Sequence, residues 1–176
     1  EGELLTAIGE VLYANSINFS LSGYDSNKKY LSYTEERLKN VGVWESALHH
    51  EDFLRAIDIP DSTGLPSLFE ENKSELNNSF DIVIANPPYV RTQILGTEQA
   101  QILSKKFNLK GRVDLYYPFL IAMTESLKED GLLGVITSNR YLSTKSGESI
   151  RKFLSKNYEI LELIDLGDTK LFNAAV

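Results

Sequence analysis

Apolar and polar residues follow two alternating spacings along the first third of the chain. Residues 2–14 predict a helix because their apolar side chains recur on one helix face, namely Leu4, Leu5, Ile8, Val11 and Leu12. Residues 17–25, INFSLSGYD, predict a strand that stops at a glycine-containing turn. Residues 26–40 predict a second helix, followed by a short strand and a turn over residues 46–54.

The middle of the chain contains a long polar loop and one strongly apolar strand. Residues 55–79 are polar and punctuated by proline and glycine, which predicts a loop with at most one helical turn. Residues 80–85, FDIVIA, are almost continuously apolar, as is typical of a strand buried on both faces of a parallel sheet. Residues 90–113 predict another loop or an irregular helical segment.

The last third continues the alternation. Residues 114–130 predict an amphipathic helix, although Pro118 lies in its early part, and residues 131–138 predict a strand. A helix around 147–156 and a strand over 158–166 follow. Strands that alternate with helices predict an α/β fold with a doubly wound, mostly parallel sheet. Ligands of such sheets bind beyond the carboxyl ends of the strands, so residues directly after strands are the most informative.

Composition narrows the class of protein. The chain has 176 residues and is 42% apolar, which predicts one domain over residues 1–176. No apolar run is long enough to cross a membrane and the first residues are acidic rather than basic, so we expect a cytoplasmic protein. The absence of cysteine excludes disulfides, thiolate zinc sites and a cysteine nucleophile. His49 and His50 are adjacent and face opposite sides of a strand, so we predict no metal site there.

Charge is distributed unevenly. The net charge of −7 argues against a general nucleic-acid coat, since such proteins neutralise phosphates with an excess of Lys and Arg. Residues 91–112, which we call the basic segment, contain a single acid, Glu98, and five basic residues, namely Arg91, Lys105, Lys106, Lys110 and Arg112. The ordinary explanation for such a cluster is a solvated face, and the alternative is contact with an anionic partner.

Acidic residues follow two predicted strands. Asp25 ends the first strand, where α/β folds commonly bind ribose hydroxyls, but it could equally cap the next helix. Asp52 follows the second strand and precedes Phe53, so that its carboxylate could accept from an adenine amino group while the phenyl ring packs on the base. Capping is again the alternative. Gly2 opens the first helix, whose amino-terminal end favours an anionic ligand group.

The sequence after the FDIVIA strand is the most specific feature of the chain. Asn86, Pro87, Pro88 and Tyr89 follow the strand directly, and the two prolines make this corner rigid. These residues resemble the catalytic motif of S-adenosylmethionine-dependent amino-methyltransferases. The whole chain is similar to adenine-specific DNA methylases of restriction-modification systems, in which the motif follows an apolar strand.

The resemblance extends to other segments. EGELL, which contains Glu1 and Gly2, is similar to the end of the glycine-rich cofactor loop, and GYDSN and EDFL are similar to the segments that bind the cofactor ribose and adenine. DLYYPFL, which contains Asp114, and DGLLGVITSNRYL are similar to a later helix and strand. The resemblance therefore implies S-adenosyl-L-methionine as the cofactor and a fold truncated at its first strand, with the start of the cofactor loop upstream.

The resemblance also implies roles for the tetrapeptide. The Asn86 side-chain oxygen and the Pro87 carbonyl would accept the two hydrogens of an adenine amino group and favour the geometry of attack on the methyl group. The base would be flipped out of duplex DNA and would stack on Tyr89. Phe172 could contact its opposite face or be a core aromatic, and Asp114 could line the pocket or cap a helix.

The expected partner is double-stranded DNA, bound through a recognition domain outside this chain, with a fused or partner endonuclease. The basic segment would contact the DNA backbone beside the flipped base. Two other functions remain open. The same tetrapeptide occurs in methyltransferases that modify a release-factor glutamine or ribosomal RNA, and a methylase-like domain can also serve as a non-catalytic scaffold.

Overall fold

A computed structural model describes residues 2–59, 74–89, 96–108 and 114–167 of the chain. Within these ranges the chain is a mixed α/β protein, and it divides into two compact units. The described residues of the first unit are 2–58, 74–85 and 125–134. Those of the second are Ile59, 86–89, 96–108, 114–124 and 135–167.

The first unit begins with two helices that cover a pair of parallel strands. The elements in chain order are α1 (Glu3–Ala14), β1 (Leu21–Asp25), α2 (Lys28–Asn40), β2 (Ser46–His50) and the single-turn helix α3 (Phe53–Ala56). Strands β1 and β2 pair in parallel with Leu21 opposite Ser46 and Asp25 opposite His50. The carboxyl ends of both strands therefore lie at the same edge of this sheet.

Burial of apolar side chains holds these elements together. Leu21 of β1, Leu38 of α2 and Val43 form a buried cluster. Partly buried side chains from the surrounding elements pack against it, namely Leu5, Ile8, Phe19, Val41 and Leu48. Burying a side chain of this size contributes about 1.5–3 kcal/mol, so the cluster is what keeps the β1–β2 edge in place.

A second pair of strands is formed by β3 (Phe80–Ala85) and β4 (Leu127–Val135), which are hydrogen-bonded neighbours. Near their beginning, Lys128 Nζ lies 2.8 Å from a carboxylate oxygen of Asp81. Gly134 lies close to Ile84, because a β-carbon on Gly134 would approach the Ile84 methyl to 3.2 Å. The exit of β3 leads directly into Asn86.

The second unit is mostly helical in its described residues. It contains α4 (Thr97–Lys106), most of α5 (Tyr116–Ser126), α6 (Arg140–Ser143), a 3₁₀ turn (Lys145–Gly147) and α7 (Glu148–Asn157). Side chains of α5 are among the most deeply buried, namely Tyr116, Tyr117, Leu120 and Met123. No helix within the described ranges has the length and apolar character needed to cross a membrane.

Most predicted elements are confirmed, with shifted ends. The first strand is shorter than predicted, and an ordered helix, α4, lies within the segment predicted as irregular. The helix predicted to continue to residue 130 instead ends at Ser126. Asp130 adopts a φ of 62°, which is incompatible with continuing right-handed helix, and β4 begins before it.

The strand predicted over residues 158–166 is wrong. This segment contains no assigned strand, and none of the described residues pairs with it. Its apolar side chains occupy both strand faces and are exposed, for example Leu161 at 75% and Ile164 at 68%. The apolar pattern predicted a strand that is buried on both faces, but a strand also requires a hydrogen-bonded neighbour, which a pattern cannot supply.

Candidate active site

Two groups of residues contain the four predicted catalytic residues and three of the predicted cofactor-binding residues. We call residues 24–27 and 49–53, at the ends of β1 and β2, the acidic edge, and residues Asn86–Tyr89, after β3, the NPPY corner. The acidic edge belongs to the first compact unit and the NPPY corner to the second.

Asp25 shapes the turn after β1. Its Oδ1 accepts a hydrogen bond from the Asn27 backbone N–H at 2.7 Å. The helix cap is Asn27, whose side chain accepts from Lys29 N–H at 3.0 Å, so the prediction that Asp25 could itself cap α2 is wrong. Asp25 is half-buried, and its Oδ2 makes no hydrogen bond with any described residue. One carboxylate oxygen therefore remains for a ligand.

Asp52 caps the short helix α3. Its Oδ1 accepts from the Leu54 backbone N–H at 3.0 Å, and its Oδ2 lies 3.5 Å from Nε of Arg55. The capping alternative is confirmed for this residue. Capping does not exclude ligand binding, because a carboxylate has lone pairs for more than these two partners.

Aromatic rings that the sequence analysis did not assign to the site support the acidic edge. The His49 imidazole stacks on Tyr24 with ring centroids 4.4 Å apart and planes 5° from parallel. Tyr24 also meets Phe53, the predicted adenine contact, at 5.6 Å. The pairing of Tyr24 with His49 in the parallel register explains the stack, and this pairing was not readable from either strand alone.

Two further features surround this edge. Nε2 of His50 lies 3.0 Å from the Ser26 carbonyl, which ties the end of β2 to the turn after β1. Burial raises the pKa of the Tyr24 phenol, and the nearby Glu51 carboxylate raises it further. Tyr24 therefore remains neutral at physiological pH. No group of three or more metal-ligating side chains occurs in the described part of the chain.

Gly2 has a structural role at the start of α1. It adopts a φ of 71°, and its carbonyl accepts hydrogen bonds from the backbone N–H and the hydroxyl of Thr6 at 2.9 and 2.8 Å. A β-carbon at this position would collide with the hydroxyl oxygen of Thr34. Both the backbone angle and the close approach therefore require glycine.

The NPPY corner presents its amide to solvent. Asn86 and Pro88 are exposed, Pro87 is buried and Tyr89 is half-buried. The described chain contains no cis peptide bond, so the turn is made by trans prolines. A buried Pro87 anchors the corner while the side chain before it remains accessible, as a residue that contacts a substrate must be.

The Tyr89 hydroxyl contacts two acceptors. It donates to Oδ1 of Asn86, and it also lies 3.0 Å from the carbonyl oxygen of Ile136, directly after β4. Burial raises the pKa of Tyr89, so the phenol is neutral and can donate at physiological pH. The hydroxyl of the next residue, Thr137, is buried and has no hydrogen-bond partner in the described residues. The sequence analysis did not identify Ile136 or Thr137, which belong to the segment GVITSN without a distinctive motif.

Other predicted residues are distributed around the second unit. The Asp114 carbonyl accepts from the Tyr117 N–H at 3.1 Å at the beginning of α5. Tyr116 is buried, and this burial raises its pKa, to which the neighbouring Tyr117 and Asp114 contribute. Lys105 is exposed at the end of α4, and Nζ of Lys106 lies 5.8 Å from the Phe107 ring centroid. Four predicted site residues lie outside the described residues, namely Glu1, Arg91, Arg112 and Phe172.

Comparison with known proteins places these residues in context. Residues 11–172 match the family described as Eco57I restriction-modification methylase. The chain is 51% identical, over its full length, to a Type II methyltransferase, M.BanIII, of Aneurinibacillus aneurinilyticus. It is 36% identical over 62% of its length to the Type II methyltransferase M.BstVI of Geobacillus stearothermophilus.

A further similarity is to a protein that combines two activities in its name. The chain is 31% identical, over 66% of its length, to the Type II restriction enzyme and methyltransferase RM.Eco57I of Escherichia coli. The chain spans 30% of the length of M.BanIII, 19% of M.BstVI and 12% of RM.Eco57I. It therefore corresponds to one part of these longer relatives.

Proposed function

The chain belongs to the family of Eco57I restriction-modification methylases, and on this premise we propose that it transfers a methyl group to DNA. The acceptor is the exocyclic amino group of an adenine that is flipped out of the duplex. The enzyme works in the cytoplasm as part of a restriction-modification or phage-defence system.

The NPPY corner carries this proposal. Asn86 presents an exposed amide directly after the apolar strand β3, and the next residue, Pro87, is buried. The adenine amino group is a poor nucleophile, since its lone pair is delocalised into the ring. The Asn86 side-chain oxygen accepts one of its hydrogens and the Pro87 carbonyl accepts the other. Both contacts strengthen as the nitrogen becomes pyramidal and positively charged during attack.

Tyr89 holds the flipped base by stacking, which contributes about 1–3 kcal/mol per base. Phe172 contacts the opposite face and Asp114 lines the same pocket. After transfer, the nitrogen loses one proton to solvent, so the corner requires no strong base. The gain in rate comes mainly from orientation of the amino group.

S-adenosyl-L-methionine, when bound, supplies the methyl group as an electrophilic sulfonium. The acidic edge fits such a cofactor, because Asp25 is half-buried with one carboxylate oxygen unpaired among the described residues. Asp25 holds the ribose hydroxyls, Asp52 accepts from the adenine amino group, and Phe53 packs on the ring. Gly2 lies at the start of α1, where backbone N–H groups favour a carboxylate, and we assign Glu1, which precedes it in the sequence, to the same ligand.

The finer features of the fold belong to the same proposal. The sheet is doubly wound and mostly parallel. Sequence recognition comes from another part of the full-length protein, and a nuclease is fused to it or acts as its partner. Lys105 and Lys106, together with Arg91 and Arg112, contact DNA phosphates beside the flipped base.

The test is methyl transfer by the full-length protein. Purified protein and cofactor with a labelled methyl group are incubated with unmethylated duplex DNA, release factor and ribosomal RNA. Label on adenine N6 of the duplex alone is the expected result, because the acceptor pair is shaped for an amino group and the family acts on DNA. Label on the release factor or the ribosomal RNA instead would contradict the proposal.

The variant Asn86→Ala makes the assay specific to the corner. Removing one such polar interaction from the transition state lowers the rate roughly 10²- to 10³-fold. The matched control is Asn157→Ala, because Asn157 is exposed at the end of α7 and, within the described part of the chain, its amide bonds only to its own helix. The non-catalytic scaffold would be favoured if the wild type binds cofactor and the Asn86→Ala variant keeps the full biological effect.

Charge reversal tests the basic segment. Lys105→Glu with Lys106→Glu lowers DNA affinity and reduces the slope of affinity against salt by about 1 for each phosphate that is no longer neutralised. Lys152→Glu is a suitable control, since Lys152 lies on α7 and pairs with Glu148 at 2.7 Å. An unchanged salt slope in the Lys105 and Lys106 variant would assign this surface to solvent.

A further inference from the structure

In the NPPY corner, the Tyr89 side chain is hydrogen-bonded to the oxygen atom that the proposed reaction needs as an acceptor. The Tyr89 hydroxyl donates to Oδ1 of Asn86, the same atom that is proposed to accept from the target amino group. The hydroxyl also lies 3.0 Å from the Ile136 carbonyl oxygen. A flipped base cannot bond to Asn86 until this hydroxyl has moved.

Hydrogen counting explains why the contact is exchangeable. A tyrosine hydroxyl has one hydrogen, so it cannot pair fully with both Asn86 Oδ1 and the Ile136 carbonyl. An amino group has two hydrogens, so in the proposed complex it donates one to Asn86 Oδ1 and the other to the Pro87 carbonyl. Asn86 Oδ1 therefore has a donor both before and after the exchange.

We propose that Tyr89 is a placeholder for the target amino group, with its hydroxyl on Asn86 in the free protein and its ring against the base in the complex. This inference rests on the proposed function and adds a step to it. Tyr89 closes the acceptor site until a base with an amino group enters. The same side chain then provides the stacking surface.

The surroundings of Tyr89 favour movement of this side chain rather than of the corner. Pro87 is buried and both prolines restrict the backbone, so the chain before Tyr89 is fixed. Tyr89 itself is only half-buried and Asn86 is exposed, which leaves room for the ring to rotate. Burial raises the pKa of Tyr89, so its hydroxyl remains a donor at physiological pH.

The experiment measures binding of duplex DNA to the full-length protein and its Tyr89→Phe variant. Phenylalanine keeps the ring and removes only the competing hydroxyl. Two duplexes are compared, one with adenine at the methylated position and one with an abasic site there, both in the presence of S-adenosyl-L-homocysteine so that no methyl transfer occurs. The control variant is Tyr141→Phe, because Tyr141 is also a partly buried tyrosine of the second unit.

Tyr89→Phe is expected to bind the adenine duplex about two- to tenfold more tightly, which is the range for one competing hydrogen bond. It is expected to bind the abasic duplex as the wild type does, since no base enters the corner. Tyr141→Phe changes neither affinity. Weaker or unchanged binding of the adenine duplex by Tyr89→Phe, or an equal gain on both duplexes, would overturn the inference.

A double-mutant cycle identifies the acceptor. The Asn86→Ala variant lacks Oδ1, the atom for which the Tyr89 hydroxyl and the target amino group compete. In this background Tyr89→Phe is expected to increase the affinity for the adenine duplex less than it does in the wild type. A gain of the same size in both backgrounds would show that the hydroxyl does not compete for Asn86. A wild-type protein that methylates no adenine contradicts the proposed function itself, whereas an active wild type without the Tyr89→Phe gain contradicts only this inference.

Discussion

At the acidic edge the predicted cofactor residues also hold the backbone in place, whereas at the NPPY corner the side chain of Asn86 bonds to that of another predicted catalytic residue, Tyr89. Asp25 forms a turn and Asp52 caps a helix. Asn86 is exposed and receives its hydrogen bond from Tyr89. Substitutions at the edge therefore affect stability together with ligand binding, while substitutions at the corner separate the two.

The largest effect on stability is expected at Gly2, in the same unit as the acidic edge. Gly2→Ala combines a positive φ, which disfavours a side chain by about 1–2 kcal/mol, with overpacking against Thr34, which adds about 1–3 kcal/mol. The free energy of unfolding should fall by about 2–5 kcal/mol in urea denaturation.

Gly167→Ala is the matched control for this substitution. Gly167 also has a positive φ, of 55°, but no atom of the described residues lies within 4 Å of its would-be β-carbon. Only the backbone effect remains, so the expected loss is about 1–2 kcal/mol. Equal losses for the two variants would show that the Thr34 approach does not constrain Gly2.

Asp52 and Asn86 provide the most direct comparison of the two regions. Asp52→Ala removes the cap of α3 and should lower the free energy of unfolding by about 1 kcal/mol. Asp52→Asn keeps a hydrogen-bond acceptor, so its free energy of unfolding should stay within about 0.3 kcal/mol of the wild-type value. Asn86→Ala should change it by less than about 0.5 kcal/mol, as is usual for an exposed residue. A large loss of stability in Asn86→Ala would remove the distinction between edge and corner.

Much of the fold was predictable because apolar spacing is a local signal. The helix α1 was predicted from periodicity and the strand β3 from a continuous apolar run. The failures concern residues whose state depends on distant partners. Residues 158–166 had a strand pattern but have no strand partner among the described residues. The helix predicted to continue to residue 130 ends at Ser126, because the following residues, Leu127–Val135, pair with β3 as strand β4.

The site shows the same division. The NPPY corner was identifiable because four consecutive residues carry its chemistry, and the strand-end acids because they follow apolar runs. The stack of His49 on Tyr24 and the approach of the Ile136 carbonyl to Tyr89 join residues that are 25 and 47 positions apart in sequence. No local pattern encodes these contacts, so they required the structure.

The Thr137 hydroxyl, next to Ile136 in sequence, allows a test of what an unpaired buried polar group costs in stability. Its hydroxyl is buried without a hydrogen-bond partner in the described residues, a situation that costs about 1–3 kcal/mol relative to an apolar group of the same shape. Thr137→Val should therefore leave the free energy of unfolding unchanged or raise it by about 1 kcal/mol, measured by thermal denaturation.

Thr124→Val is the control for this substitution. The Thr124 hydroxyl is bonded, since it donates to the Leu120 carbonyl at 2.8 Å and lies 2.7 Å from the Tyr158 hydroxyl. Its removal should lower the free energy of unfolding by about 1 kcal/mol. A clear loss of stability in Thr137→Val as well would show that the Thr137 hydroxyl is also bonded in solution.

The smallest expected effect is the alkaline titration of one tyrosine from each region. Burial raises the pKa of both Tyr24 and Tyr89 above the ordinary 10.0, and Glu51 adds to the shift only for Tyr24. Because each phenol has a higher pKa in the folded than in the unfolded state, its contribution to stability is fully present below pH 10.0 and is lost as the pH rises through the folded value.

Difference absorbance of tyrosinate between the wild type and Tyr24→Phe or Tyr89→Phe isolates each titration. Glu51→Gln should move the Tyr24 titration towards lower pH, because the carboxylate that opposes a second negative charge is gone, and it should leave Tyr89 unchanged. A shift of the Tyr89 titration in Glu51→Gln would mean that the charge acts on both regions. If Glu51→Gln leaves the Tyr24 titration unchanged, burial alone raises the pKa of Tyr24, as it does for Tyr89. The two regions would then not differ in what sets the pKa of their tyrosines.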